Sequence, residues 1–132
     1  MRGIVVLGLL TVLVSTAMGR DCLFDAIVEV ESQGNPDAVG DGGRAHGLTQ
    51  AWRGAWQDGC EALGVDWDYV AGVRDRDKCS RIFYAYTSRY GAQSDQERAR
   101  TWNGGPTGND RKSTLPYWHK VRRAMRRMED ED

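Results

Sequence analysis

The chain has 132 residues, with 18 lysines and arginines against 19 aspartates and glutamates, and a net charge of −1 at pH 7. This length fits one ordinary domain and leaves no room for a second. The near balance of charge excludes the strong positive potential that nucleic-acid binding or strong attraction to an anionic wall would require.

The first predicted element is an N-terminal leader. Arg2 is followed by an apolar run over residues 4–14 and then by small residues up to Gly19. This order is typical of a secretory signal peptide, and cleavage after Gly19 fits it best. The run is shorter than the roughly 20 residues that span a bilayer, so an anchor, including a releasable one, is the weaker alternative. We expect residues 1–19 to be a signal peptide and the mature protein to be secreted or periplasmic, without stable membrane insertion.

The second element is a helix that carries a glutamate at its end. Apolar residues recur at helical spacing over residues 23–28, and the same face continues to Glu31 before Gly34-Asn35-Pro36 stops the helix. A carboxyl group on the buried side loses water, which disfavours its charged form and raises its pKa. Such a group suits the general acid that glycoside cleavage needs, although a glutamate at a helix end more often just reaches solvent.

A glycine-rich loop follows this helix. Residues 34–47 contain five glycines, a composition of turns or a short hairpin rather than of helix. Asp41 lies in this loop, which can fold back over the helix end that carries Glu31. Glycosidases need a second carboxylate about 5 to 9.5 Å from the first. Asp41 is the natural candidate and Asp37 a weaker one, while a turn aspartate that bonds its own backbone is an equally open interpretation of Asp41.

The rest of the chain reads as helices separated by short breaks. The spacing over residues 48–63 suggests a helix or a broken helix, and residues 66–69 a polar turn. A clear apolar stripe over residues 79–90 predicts a buried helix that ends at Gly91. A capping box over residues 94–97 opens a short helix that ends at Trp102.

A last helix is expected from near Pro116, a residue tolerated in the first turn. Its predicted inward residues are Trp118, Val121, Met125 and Met128.

The cysteines and histidines give little sign of a metal site. Three cysteines follow the export signal, so one disulfide is expected, and we favour Cys60 with Cys79, which leaves Cys22 over. The only histidines, His46 and His119, have no partner at metal-ligand spacing. No metal and no cofactor are therefore expected.

Taken in order, these segments resemble the lysozyme superfamily over nearly the whole mature chain. Residues 26–32 with 34–36 and 38–40 resemble the catalytic-glutamate segment of soluble lytic transglycosylases, and Gly47-Leu48-Thr49-Gln50 resembles their Gly-Leu-Met-Gln segment. The later part is more similar to the invertebrate-type lysozymes, also called destabilases. The segments that carry this second likeness are Cys22-Leu23, Trp56-Gln57-Asp58, Arg89-Tyr90, Ala99-Arg100, residues 103–108, Thr114, Tyr117-Trp118 and Lys120-Val121.

The resemblance implies a mainly α, lysozyme-like catalytic domain over residues 20–132, with four or five helices around a glycine-rich loop or small β-hairpin beside the active-site cleft. It implies that Glu31 is the general acid and Asp41 the second carboxylate. The substrate-binding residues that go with them are Ser32, Gln50, Tyr86 and Asn103. Invertebrate-type lysozymes are dense in cysteine and this chain has three, which favours a bacterial or phage setting.

The function implied by the resemblance is cleavage of peptidoglycan at the β-1,4 bond between N-acetylmuramic acid and N-acetylglucosamine, by a monomer. In the leading interpretation Glu31 protonates the glycosidic oxygen, Asp41 stabilises or attacks the sugar cation, and water completes hydrolysis. In a lytic transglycosylase, the alternative, the muramic 6-hydroxyl closes on its own ring and Asp41 is not required. A non-catalytic wall-binding module is the alternative of another class, and the intact Glu31 argues against it.

Overall fold

The computed structural model describes residues 21–131, so the predicted signal peptide lies outside the described residues. The helices are α1 (Cys22–Ser32), α2 (Arg53–Leu63), α3 (Tyr69–Gly72), α4 (Arg76–Arg89), α5 (Asp95–Gly104) and α6 (Leu115–Asp130). Two short antiparallel strands, β1 (Val39–Gly40) and β2 (Ala45–His46), form a hairpin within the glycine-rich loop. The predicted mainly α fold with a small hairpin is thus confirmed. No helix of residues 21–131 is long and apolar enough to cross a membrane.

Local signals fix both ends of α1. The Asp21 side chain accepts a hydrogen bond from the Phe24 amide at 3.1 Å and so caps the first turn. Gln33 ends the helix in the left-handed region, with φ 53°. The helix predicted over residues 23–32 is therefore correct to within one residue, and it leaves Glu31 in the last turn.

The chain between the hairpin and α2 differs from the prediction. The helix expected over residues 48–63 begins only at Arg53. Gly47 and Gln50 have φ values of 78° and 53°, which a right-handed helix does not allow. Residues 47–50 instead form a turn, which His46 and Ala51 close with an isolated bridge.

The six α-helices of residues 21–131 are one more than the upper end of the predicted four or five, and the additional helix is α3. Residues 66–69 were predicted as a polar turn, and the Asp68 side chain there accepts from the Ala71 amide at 2.9 Å. This hydrogen bond caps the single helical turn α3.

The next two helices follow their sequence signals closely. Asp75 caps α4, which ends at Arg89, with Gly91 two residues further on in the left-handed region at φ 85°. The capping box is confirmed, because the Ser94 hydroxyl accepts from the Glu97 amide at 3.1 Å and donates to the Glu97 carboxylate at 2.9 Å. Helix α5 runs two residues past its predicted end at Trp102.

Helix α6 begins one residue before Pro116 and packs against α1, while α2 packs against α4. Of its predicted inward residues, Val121 is fully buried. The other three, Trp118, Met125 and Met128, are partly buried against the core. Tyr117 and Ala124 are also buried, and the prediction did not include them.

The predicted disulfide between Cys60 and Cys79 is not formed, and all three cysteines are free. The Cys79 thiol is buried and lies 3.3 Å from the Val73 carbonyl oxygen, whereas the Cys60 thiol points to the Trp67 carbonyl oxygen at 3.9 Å. Burial raises the pKa of the Cys79 thiol to about 12. Each sulfur is therefore directed at a separate backbone carbonyl rather than at the other sulfur.

Candidate active site

A cleft of about 540 Å³ opens where the end of α1, the hairpin and the start of α2 face α4 and α5. Its lining residues are Glu31, Asp41, Gln50, Ala51, Trp52, Gly54, Ala55, Tyr86, Trp102, Asn103, Gly104 and Gly105. Five of the six residues predicted for catalysis and substrate binding are in this set. The exception is Ser32.

Glu31 lines the cleft with a carboxyl group whose pKa is strongly shifted. It projects from the last turn of α1, and burial raises the pKa of its carboxyl group from 4.5 to about 7. The nearby charge of Asp41 raises this pKa further, while the Tyr117 hydroxyl and the charge of Lys120 lower it. Near neutral pH Glu31 is therefore poised between its protonated and ionised forms, as a proton donor in a glycosidase must be.

Asp41 lines the same cleft and is more exposed than Glu31. Its backbone lies in the left-handed region, with φ 49°, an uncommon and strained conformation for a residue other than glycine. Its carboxylate accepts a hydrogen bond from the Trp52 indole nitrogen at 3.1 Å. The Arg44 guanidinium, 4.9 Å from the Trp52 ring, donates to the Asp41 carbonyl oxygen at 3.1 Å. The side chain thus bonds Trp52, the residue that precedes α2, rather than its own turn.

Gln50 lines the cleft and also ties the hairpin to it. Its side-chain amide donates to the carbonyl oxygens of Ala38 and Gly47 at 3.0 and 3.1 Å. A Cβ atom at Gly40 would lie 2.5 Å from the Gln50 side-chain oxygen, so a larger residue there would displace the Gln50 side chain. Because its NH₂ group is already engaged, Gln50 has only its oxygen to offer a glycan.

Asn103 and Tyr86 lie on the α4–α5 side. Asn103 is exposed in the last turn of α5, and Tyr86 is buried, with its ring edge-on to Trp102 at 5.6 Å between centroids. Trp102 in turn donates to the Thr49 carbonyl oxygen at 3.0 Å. This wall combines an accessible amide with aromatic rings, a combination that suits a sugar ligand.

Ser32, predicted to bind substrate, lies outside the cleft lining. Its hydroxyl is 2.7 Å from the Leu48 carbonyl oxygen and 3.1 Å from that of Val28, and it accepts from the Gly34 amide at 3.2 Å. These bonds join the end of α1 to the segment after the hairpin. In this structure Ser32 positions the helix end that carries Glu31.

Trp52 is a site residue that the helical spacing over residues 48–63 does not single out. The side chain is 45% exposed and lies in the cleft beside Asp41. The sequence feature that could have pointed to an exposed Trp52 is the small size of its neighbours Ala51, Gly54 and Ala55, none of which can cover an indole ring. Within residues 21–131 no group of three or more histidine, cysteine, aspartate or glutamate side chains is placed to hold a metal ion.

Comparison with solved structures places this architecture. The crystal structure of Tapes japonica lysozyme superimposes with a TM-score of 0.68 at 24% sequence identity, covering 76% of this chain and 86% of that one. The chain therefore has a lysozyme-like fold. A curated lysozyme of the oyster Ostrea edulis is 35% identical over 81 residues, which are 58% of this chain and 57% of the oyster protein. The lysozyme-like chain therefore matches little more than half the length of this curated relative. No family model matches it.

Proposed function

We propose that this lysozyme-like chain is a glycoside hydrolase that cleaves the glycan strands of bacterial peptidoglycan. The observation that carries the proposal is Glu31, a carboxyl group in a cleft whose burial raises its pKa to about 7. A second carboxylate, that of Asp41, faces the same cleft in a polar, exposed environment. In glycosidases, the carboxyl group in the buried environment serves as the proton donor, and the one in the polar environment serves as the ionised carboxylate. The resemblance to two proteins named lysozymes supports the same reading.

In the proposed reaction Glu31 donates its proton to the oxygen of the β-1,4 bond between N-acetylmuramic acid and N-acetylglucosamine. The bond between that oxygen and the muramic C1 breaks, and the Asp41 carboxylate stabilises or attacks the resulting sugar cation. A water molecule then adds to C1 and gives a proton to Glu31, and where Asp41 has bonded to C1 this addition breaks that bond and frees the carboxylate. No metal or cofactor takes part in this scheme.

The position of Asp41 favours hydrolysis over transglycosylation. In a lytic transglycosylase Glu31 would act as acid and then as base, the muramic 6-hydroxyl would attack C1, and the Asp41 carboxylate would have no step to perform. Here a strained backbone and the Trp52 indole hold that carboxylate at the cleft. Such placement is expected of a group that takes part in the reaction.

The proposal includes the setting in which the enzyme acts. The charged, apolar and small-residue regions of residues 1–19 support their assignment as a signal peptide, with a secreted or periplasmic monomer as the mature form. Peptidoglycan glycan strands are the proposed partner. N-terminal sequencing of the protein recovered from the medium or periplasm tests this assignment, and a protein that begins with Arg20 is expected.

The test of the reaction is mass spectrometry of peptidoglycan digested by the protein and by two variants, Glu31→Gln and Asp41→Asn. A matched control is Asp37→Asn, because Asp37 lies in the same loop and forms only a surface ion pair with Arg74 at 3.0 Å. We expect fragments with reducing muramic ends from the protein and the control, and none from the other two variants. Anhydromuramic ends that survive Asp41→Asn would show a transglycosylase, and no fragments from any of them would favour a wall-binding module.

A further inference from the structure

We propose that Tyr117 is a positioning residue for Glu31, and that its buried hydroxyl donates a hydrogen bond to the carboxylate that forms when Glu31 gives up its proton. This inference rests on the proposed role of Glu31 as proton donor and deepens it. Tyr117 lies 86 positions later in the chain, on a different helix.

The first support is an unpaired polar atom. Tyr117 lies in the first turn of α6, which packs against α1, and its side chain is only 9% exposed. Of the buried side-chain oxygen and nitrogen atoms in the described residues, the Tyr117 hydroxyl alone has no hydrogen-bond partner. Buried polar groups are rarely left unpaired, so this hydroxyl calls for a functional explanation.

The second support is the group that the hydroxyl faces. Burial raises the pKa of Tyr117, and the nearby Glu31 carboxyl group raises it further. Burial also raises the pKa of Glu31, and the Tyr117 hydroxyl lowers it. The other charged groups that act on Glu31 are Asp41 from the hairpin and Lys120 from α6. Tyr117 is the neutral hydrogen-bond donor among the groups around this carboxyl.

The strength of a hydrogen bond from Tyr117 depends on the protonation state of Glu31. A protonated carboxyl group is a weak acceptor, so it attracts the hydroxyl little. After proton transfer the same group is a buried anion, and an O–H donor to a carboxylate forms a short bond roughly twice as strong as a neutral one. The contact therefore strengthens as the reaction proceeds, which is the requirement for a contact that assists it.

A hydrogen bond to the charged form lowers the pKa of a carboxyl group, so its removal must raise that pKa. Tyr117→Phe deletes the hydroxyl and keeps the ring that packs between α1 and α6. We expect the variant to hold the proton of Glu31 to higher pH and to release it less readily. Its kcat should fall at the pH optimum, whereas KM should change little.

The experiment is a pH titration of the Glu31 side-chain carboxyl carbon by NMR, in the protein and in Tyr117→Phe. The matched control is Tyr84→Phe, because the Tyr84 hydroxyl bonds Asp21 at the opposite end of α1, with oxygen distances of 2.7 and 2.8 Å. We expect the midpoint to rise by about one pH unit in Tyr117→Phe and to stay in place in the control. An unchanged midpoint in Tyr117→Phe would overturn the proposal.

A second variant keeps the test decisive if Tyr117→Phe fails to fold. Replacement of Tyr117 by 3-fluorotyrosine makes the hydroxyl more acidic and hence a stronger donor, so the Glu31 midpoint should fall instead of rise, and a midpoint that stays fixed would count against the hydrogen bond. The titration needs no substrate. A shifted midpoint in a protein that leaves peptidoglycan intact would support the hydrogen bond and overturn the proposed function.

Discussion

Replacement of Glu31 by glutamine is expected to abolish cleavage and, at the same time, to stabilise the fold at alkaline pH. The pKa of this carboxyl group is 4.5 in the unfolded chain and about 7 in the folded one. The folded state therefore binds the proton more tightly, so stability is lost as the pH rises from the first value through the second. With 1.36 kcal/mol for each unit of pKa, the loss reaches about 3 kcal/mol at pH 8. Glutamine stays neutral and avoids this loss.

The assay is urea unfolding at pH 4, 6 and 8, followed by tryptophan fluorescence, with Glu29→Gln as the control. Glu29 lies on the same helix and is exposed, so its replacement should change stability little at any of the three pH values. The gain in free energy of unfolding from Glu31→Gln should be near zero at pH 4 and largest at pH 8. An equal gain at pH 4 and pH 8 would refute the argument that burial of Glu31 sets its pKa.

Three further predictions test how the cleft is built. Trp52→Phe keeps an aromatic ring but removes the hydrogen bond to Asp41, so kcat/KM should fall by about tenfold with little change in Tm; an unaltered kcat/KM would exclude this contact from the mechanism. Gly47→Ala should lower the free energy of unfolding by at least about 2 kcal/mol, because φ is 78° and the new Cβ would lie 2.1 Å from the Val73 carbonyl oxygen. Gly54→Ala, with open space around it, is the control and should not destabilise. Because the cysteines are free, a reducing agent should leave Tm unchanged, and a Tm that drops on reduction would show that a disulfide is present after all. A thiol reagent should modify the buried Cys79 only after unfolding.

The parts of the fold that were predictable from sequence depend on neighbours along the chain. The capping box at Ser94 and Glu97 spans a single turn, and serine and glutamate at this spacing are typical of the start of a helix. The place of Glu31 at the end of α1 follows from a run of apolar residues at helical spacing and from the glycine and proline that stop it. Local interactions of this kind determine the conformation of a segment independently of the rest of the chain.

The parts that were not predictable depend on distant contacts or on unusual backbone. The left-handed conformation of Gln50 is rare for a residue with a side chain, and it is one reason that the helix expected from residue 48 begins only at Arg53. Trp52 fits a helical stripe by spacing alone, and only the fold reveals that it faces the cleft. The spacing of Cys60 and Cys79 likewise says nothing about the directions of their sulfur atoms, which point to different carbonyl groups.

The most direct test of the central claim is the rate of glycan cleavage by the protein and by Glu31→Gln, measured on purified peptidoglycan between pH 5 and pH 9. If Glu31 is the proton donor, the rate for the protein falls as the pH rises through about 7, where this carboxyl group loses its proton. The variant should be slower by a factor of about 10² to 10⁴ at pH 5 to 6, and this difference should shrink above pH 7 as Glu31 in the protein loses its proton. A variant that cleaves as fast as the protein, or a rate that does not decline above pH 7, would contradict the account.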